Sequence, residues 1–162
     1  MNPLIAPESL DEWNQFGKDY LPGHVGIEIV SAQPDELRAR MKVHKKLCAP
    51  NGFLHAAAVV ALADTACGYA TVNNLPGGAT GFTTLELKAN FIGTALEGYL
   101  SCIARPMHKG RTTQVWDAEV MDASGRAIAF FRCTQIILWP KAPGGHRRLG
   151  PNAARKSSMN FD

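Results

Sequence analysis

The stretch Asn51–Val72, reading NGFLHAAAVVALADTACGYATV, constrains this chain more than any other. Only His55 and Asp64 in it are ionisable, and almost everything else is small or apolar. As a helix it would be apolar on nearly every face, which predicts a buried helix from about His55 to Thr71. A carboxylate there needs a reason. Taking an unpaired charge out of water costs on the order of several kcal/mol, unless the pKa moves until the group neutralises. Asp64 is therefore either paired by other elements or kept for chemistry.

The rest of the chain must cover that helix. Glu8 to Tyr20 reads as a short amphipathic helix that Ser9 can cap, with Asp11 and Glu12 in the first turn and Leu21-Pro22-Gly23 as its stop. It is expected to pack as a lid or flank, with Trp13 and Phe16 closing over a pocket between two such central helices. Between His24 and Val43 lie two strands separated by Ala32-Gln33-Pro34-Asp35. The second puts Leu37, Ala39, Met41 and Val43 on one face and Glu36, Arg38, Arg40 and Lys42 on the other. Pro50-Asn51-Gly52 marks a turn leading into the helix, and Asn73-Asn74-Leu75-Pro76-Gly77-Gly78 ends it. Four strands in meander spacing follow: Thr83–Ile92, Gly98–Met107, Arg111–Met121 and Arg126–Leu138. The first has Leu85, Leu87, Ala89 and Phe91 on its apolar face.

This order fits an α+β arrangement in which an antiparallel sheet packs one face on the helix. A single sheet covers only part of a helix that is apolar all round, so the N-terminal helix, a partner subunit, or both must cover the remainder. The expected divisions are an N-terminal helix and lead-in at 1–23, one domain at 24–139, and a mobile basic tail at 140–162.

At 162 residues, 46% apolar and 19% charged, the chain has the size and composition of a single globular domain. The net charge of +3 comes from the tail, where Lys141, Arg147, Arg148, Arg155 and Lys156 face only Asp162; the body is near −1 by the same count. That argues against a nucleic-acid face. No apolar run approaches the roughly 20 residues a membrane span needs, and the start MNPLIAPESLDEW lacks the pattern of a signal peptide. The expectation is a cytoplasmic protein with no membrane contact. Cys48, Cys67, Cys102 and Cys133 form no metal-ligand spacing and read as buried free thiols. No GxGxxG or GxxxxGK[ST] occurs.

His55 and Asp64 are nine residues apart. At about 100° and 1.5 Å per residue they lie on opposite faces of one helix, roughly 13 Å apart along it. If both serve one site, two helices must meet across a two-fold axis, so the spacing carries an oligomer prediction. The helix start at His55-Ala56-Ala57 offers backbone N–H groups and the positive end of the dipole, which can stabilise an oxyanion formed from a thioester or ester carbonyl. Asp64 could activate water as general base or attack the carbonyl itself. Neither route calls for a metal or a redox cofactor.

N-G-x-L-H-A-A, then L-A-D-T-A, T-T-L-E-L-K-A-N-F-I-G, H-K-G-R-T-T and the D-A-S-G-R-A-I-A-F-F hairpin together resemble the hotdog-fold acyl-CoA thioesterases of the PaaI-like group, over about residues 24–138. The resemblance implies a six-stranded antiparallel sheet wrapped around one long central helix, dimers that often pair into tetramers, and hydrolysis of acyl-CoA, with coenzyme A as part of the substrate. By position it implies Asp64 as the catalytic carboxylate, the Ala56 N–H of the partner subunit as oxyanion donor, His55 beside it, and Thr84 as a hydroxyl that helps hold the water. Two departures stand out. The usual His-Gly-Gly is His-Ala-Ala here, and the Asn or Gln some six residues before the histidine is Ala49, leaving Asn51 to take that role only if the loop is rebuilt.

Each residue also has a plainer reading. Asp64 could cap another element's N–H groups, His55 could bond the loop, Asn51 could be a turn residue and Thr84 a strand residue. Cys67 has no basic partner at helical spacing to make it a nucleophile. Lys109 and Arg111, between two strands, suit the phosphates of coenzyme A or a solvated turn; Lys88 and Arg105 are further candidates. The competing classes are a hydratase or dehydratase acting on an enoyl or hydroxyacyl thioester, and a non-catalytic acyl-CoA binding module.

Overall fold

A computed structural model describes residues 3–140. The basic tail, from residue 141 onward, lies outside the described residues. In chain order the elements are α1 (Leu10–Phe16), α2 (Leu21–His24), β1 (Ile27–Gln33), β2 (Glu36–Lys42), a 3-10 turn (Lys45–Leu47), α3 (Ala56–Asn73), β3 (Gly81–Phe91), β4 (Tyr99–Lys109), β5 (Thr113–Met121) and β6 (Ala127–Leu138).

α3 is the predicted buried helix. Its small residues let the sheet come close: Ala58, Val59, Leu62, Ala63, Ala66, Cys67 and Ala70 are buried against Leu37, Ala39 and Met41 of β2, Leu100, Cys102 and Ala104 of β4, Trp116 of β5 and Cys133 of β6. Its C-terminal end is tied to the sheet by Gln114, whose Nε2 donates to the Asn74 carbonyl at 2.8 Å and whose Oε1 accepts from Trp116 Nε1 at 3.0 Å. Cys67, Cys102 and Cys133 are buried and Cys48 partly so. Burial pushes the Cys102 thiol up to about 12 and holds that of Cys67 well above its usual range, so both are neutral.

The sheet is antiparallel throughout, in the order β1-β2-β4-β5-β6-β3. The last four strands therefore do not form a meander in chain order. β4, β5 and β6 do, but β3 crosses to the far edge and pairs with β6. Turn spacing counts strands without saying which edges meet. Here β4 pairs with β2 because Leu37↔Ala104, Ala39↔Cys102 and Met41↔Leu100 place buried apolar pairs under α3.

The apolar face expected to bury β3 is also not covered within the chain. Leu85, Leu87 and Phe91 are 62%, 45% and 46% exposed, because β3 is the edge strand and no described strand pairs beyond it. The two edges contrast. On the β1 side, Asn14 of α1 docks as a substitute strand: its Oδ1 accepts from the Ile29 N–H at 2.8 Å and its Nδ2 donates to the Ile29 carbonyl at 3.1 Å. The β3 edge, 11 residues long, is open among the described residues.

α1 is shorter than expected and ends at Phe16, while Leu21-Pro22-Gly23 starts α2 instead of acting as a plain stop. Proline is tolerated there because an N–H in the first helical turn has no intrahelical acceptor. The Ser9–Glu12 capping box forms as the sequence suggests. α1 is a fixed flank: Trp13 and Phe16 pack on Tyr69 of α3 with ring centroids 5.5 and 5.3 Å away.

Asn14→Ala removes both bonds to Ile29 and uncovers the β1 edge. It should lower the unfolding free energy by about 1–2 kcal/mol in urea titration; an unchanged midpoint would mean that α1 is held by its aromatic contacts alone.

Candidate active site

His55 is the N-cap of α3. Its Nδ1 accepts from the Ala57 N–H at 3.0 Å, so the neutral ring carries its proton on Nε2. The Ala58 N–H donates to the His55 carbonyl at 2.9 Å. Of the first three helical N–H groups, only that of Ala56 has no acceptor among the described residues. The histidine thus serves the bland capping role and, by doing so, singles out one free donor at the positive end of the helix. His55, Ala56 and Ala57 are all exposed.

Asp64 sits two and a half turns later, half-buried, with Oδ1 out of solvent and without any hydrogen-bond partner. Burial raises its pKa above the ordinary 3.8, and no neighbouring cation opposes the shift. The reading of Asp64 as a cap for another element finds no N–H bonded to it. Asp64 lies on a stripe with Val60, Ala61 and Thr65 that the chain's own sheet and α1 leave partly uncovered. One turn on, Gly68 faces the Phe82 ring of β3 so closely that an added Cβ would stand 3.2 Å from it. That glycine lets β3 approach the Asp64 side of the helix. Thr84 follows Phe82 by two residues, on the same face of β3.

Within one chain the structure does not bring His55 and Ala56 to Asp64, as the helical spacing requires. The helix start instead adjoins the far end of β3: Ala56, Val59, Phe53, Leu54 and Phe91 line an apolar cavity of about 140 Å³. Asn51 lies at the tip of the preceding loop, where its Oδ1 accepts from the Phe53 N–H at 3.1 Å beside Gly52 at φ +87°. Its amide oxygen is therefore spent on its own turn.

The four candidate cations separate into two groups. Lys109 ends β4 and reaches Asp35 at 2.5 Å and Asn74 Oδ1 at 3.2 Å, at the C-terminal end of α3; Arg111 stacks on Trp139 at 4.3 Å. Lys88 and Arg105 lie on the outer face of the sheet, away from α3, in a groove of about 500 Å³ with Asp117 and Arg132. Arg105 is paired there with Glu36 at 2.5 Å. Two buried amides, Gln114 and Gln135, escaped the sequence reading. The available signal was a polar residue at an inward position of β6, in register with Phe131, Cys133 and Ile137. Among the described residues no cluster of His, Cys, Asp or Glu could hold a metal ion.

Comparison with known proteins gives a consistent result. The model of the thioesterase superfamily matches residues 51–129. ComA2 of Bacillus subtilis is 36% identical over 114 residues, covering 70% of this chain and 90% of that protein. The 1,4-dihydroxy-2-naphthoyl-CoA hydrolase of Escherichia coli is 32% identical over 133 residues, covering 80% and 95%. Among solved structures, a thioesterase of Haemophilus influenzae superposes with a TM-score of 0.79 at 27% identity, covering 87% of this chain and 99% of that one.

Because Asp64 is desolvated without compensation, the native state takes up its proton more readily than the unfolded chain. From the ordinary value of 3.8 up to the raised native value, its contribution to stability falls as pH rises. Asp64→Asn should therefore raise the melting temperature at pH 7, and the gain should shrink as pH is lowered toward 3.8. A variant that melts lower at neutral pH would mean that the carboxylate is compensated in solution.

Proposed function

The chain belongs to the thioesterase superfamily and is a thioester hydrolase with the hotdog fold, and within that class we propose that it cleaves an acyl-CoA at a site shared by two copies of the chain. Asp64 of one copy acts on the thioester as base toward water or as nucleophile. The Ala56 N–H of the other receives the oxyanion, with His55 beside it and Thr84, from the Asp64 copy, holding the water.

One observation carries this reading: the free donor and the unpaired acid sit on one helix but cannot meet in one chain, while the strand beside both of them ends the sheet with an open edge. α3 and β3 run in opposite directions, with Ala56 near Phe91 and Asp64 near the Phe82–Thr84 end. Antiparallel pairing of β3 with its two-fold copy about the strand's middle sets the Phe91 end of one against the Phe82 end of the other. The helix start of one copy then lies toward Asp64 of its partner. The same pairing covers Leu85, Leu87, Phe91 and the partly exposed stripe of α3.

The cavity beside Ala56 supports a preference for a compact or aromatic acyl group. Its volume of about 140 Å³ suits a single ring, and its lining joins Phe53, Leu54, Val59 and Phe91 to Thr94, whose hydroxyl is buried without a partner; an engineered apolar cavity of about 150 Å³ takes up benzene. The E. coli relative is named a 1,4-dihydroxy-2-naphthoyl-CoA hydrolase, which supports an aromatic acyl group, there of two fused rings. Lys109 and Arg111 are the better candidates for coenzyme A phosphates. Asn74, beside Lys109, is ten residues beyond Asp64, about 15 Å along the helix, comparable with an extended pantetheine arm. The exposed Lys109–Asp35 pair is weakly held and can be exchanged for a phosphate.

Thiol release from a panel of short, medium, long-chain and aryl acyl-CoA substrates tests this. Asp64→Asn should remain folded and dimeric and lose at least about a hundredfold in turnover; near-normal turnover would remove Asp64 from the mechanism. Hydration of an enoyl-CoA without thiol release would instead mark a hydratase. Leu87→Arg, on the open edge, should yield a monomer by sedimentation and abolish activity. Mixing Asp64→Asn chains with chains altered at Ala56 should restore part of the activity, because each heterodimer then keeps one intact site.

A further inference from the structure

Gln135 is fully buried on the inner face of β6, between the apolar positions Cys133 and Ile137. Its Nε2 donates to Cys133 Sγ at 3.3 Å, while its Oε1 is out of solvent with no donor. The flanking strands make this orphan informative. On one side its cross-strand partner is Gln114, whose Nε2 donates to the Asn74 carbonyl and whose Oε1 accepts from Trp116, and which does not bond Gln135. On the other it is Thr84, directly opposite on edge strand β3, with a hydroxyl that bonds nothing among the described residues. A break in strand register follows at once, between Thr84 and Glu86, of the kind that re-aims side chains beside functional sites. Gln114, Gln135 and Thr84 thus form a polar row across three strands of an apolar sheet face. It ends where the Asp64 side of α3 opens.

A buried amide oxygen without a donor destabilises the fold, and an apolar residue of the same size would serve the core better. Resting on the shared-site reading above, we infer that Gln135 is a positioning residue: its Oε1 takes the hydrogen of the Thr84 hydroxyl and fixes which way that hydroxyl faces the attacking water. Facing residues of an antiparallel pair have Cβ atoms about 5 Å apart, within reach of a glutamine amide and a threonine hydroxyl.

The consequence is directional. Attack requires a lone pair of the water oxygen to be free toward the carbonyl carbon. With its own hydrogen held by Gln135, Thr84 Oγ1 can only accept from the water, and so cannot occupy that lone pair. One water hydrogen then bonds Thr84 and the other passes to Asp64. The new C–O bond pushes the carbonyl electrons onto the oxygen facing the partner's Ala56 N–H. Collapse of that intermediate breaks the C–S bond, and the departing thiolate takes the proton from Asp64. Without Gln135, Thr84 can donate to the water and tie up the attacking lone pair.

The test is a double-mutant cycle on kcat and KM in the full-length dimer, with an acyl-CoA the wild type cleaves. Gln135→Met keeps the volume and lacks the acceptor. Because the exposed Thr84 hydroxyl can turn to water, this variant should melt near the wild-type temperature, lose roughly tenfold in kcat and leave KM within about twofold. Thr84→Val should lose at least as much, and the double variant no more than Thr84→Val alone, since both changes remove the same orientation. Gln135→Leu serves as a second variant. Near-normal kcat in both Gln135 variants, losses that multiply in the double variant, or failure of both Gln135 variants to fold would each overturn the assignment while leaving hydrolysis by Asp64 standing. A fully active Thr84→Val would overturn it by removing the hydroxyl from the mechanism. No thiol release by the wild type would instead sink the hydrolase reading itself.

Discussion

The fold carries in its central helix a carboxylate held among apolar residues without a counter-ion. α3 is buried because its residues are small and apolar on nearly every side, and Asp64 is carried into that environment with one oxygen unpaired. Desolvation alone raises its pKa, and a buried acid with no compensating charge is a net cost to folding. The sheet does not cover the stripe where Asp64 lies, and Gly68 draws β3 close to it without closing over it. Desolvation and access coexist because the acid sits at the margin between the protomer's core and an uncovered face.

That margin is also the open edge of the sheet. β1 is partly sealed at Ile29 by the side chain of Asn14, which supplies that residue with the donor and acceptor a neighbouring strand would have offered. β3 has no such seal and exposes Leu85, Leu87 and Phe91 along its length. Natural sheets blunt long edges unless something is meant to pair with them. Here the unpaired strand, the uncovered helix stripe, the free Ala56 N–H and the unpaired carboxylate all lie on one side of the molecule. On the proposed reading, association and catalysis draw on the same surface, which ties any change in one to the other.

The polar groups sort by the work the fold gives them. Arg38, Arg40, Arg105 and Arg132 are engaged in exposed ion pairs on the outer face, each of small energetic value. Lys109 and Arg111 stand at the C-terminal end of α3, on partners that can be exchanged. Inside, Gln114 fastens the helix end to Trp116 through its nitrogen and its oxygen, whereas the Gln135 oxygen is buried without a donor.

The sequence by itself determined the central helix, its terminators, the strand count and the incompatibility of His55 and Asp64 within one chain, because each follows from local periodicity. Residues on one helix have a fixed rotation and rise, and a strand's alternation can be read from a few neighbours. The resemblance, not local periodicity, pointed to Ala56; what the structure adds is that His55 caps Ala57 and the Ala56 N–H has no acceptor among the described residues. Only the tertiary structure decided that β3 crosses to the edge, that its apolar face stays uncovered, that Asn51 is occupied by its own turn, and that Lys88 and Arg105 face away from the helix. It alone set Gln135 opposite Thr84. These depend on which strands become neighbours, and that choice is made by burial of side chains far apart in the chain, which no local pattern records.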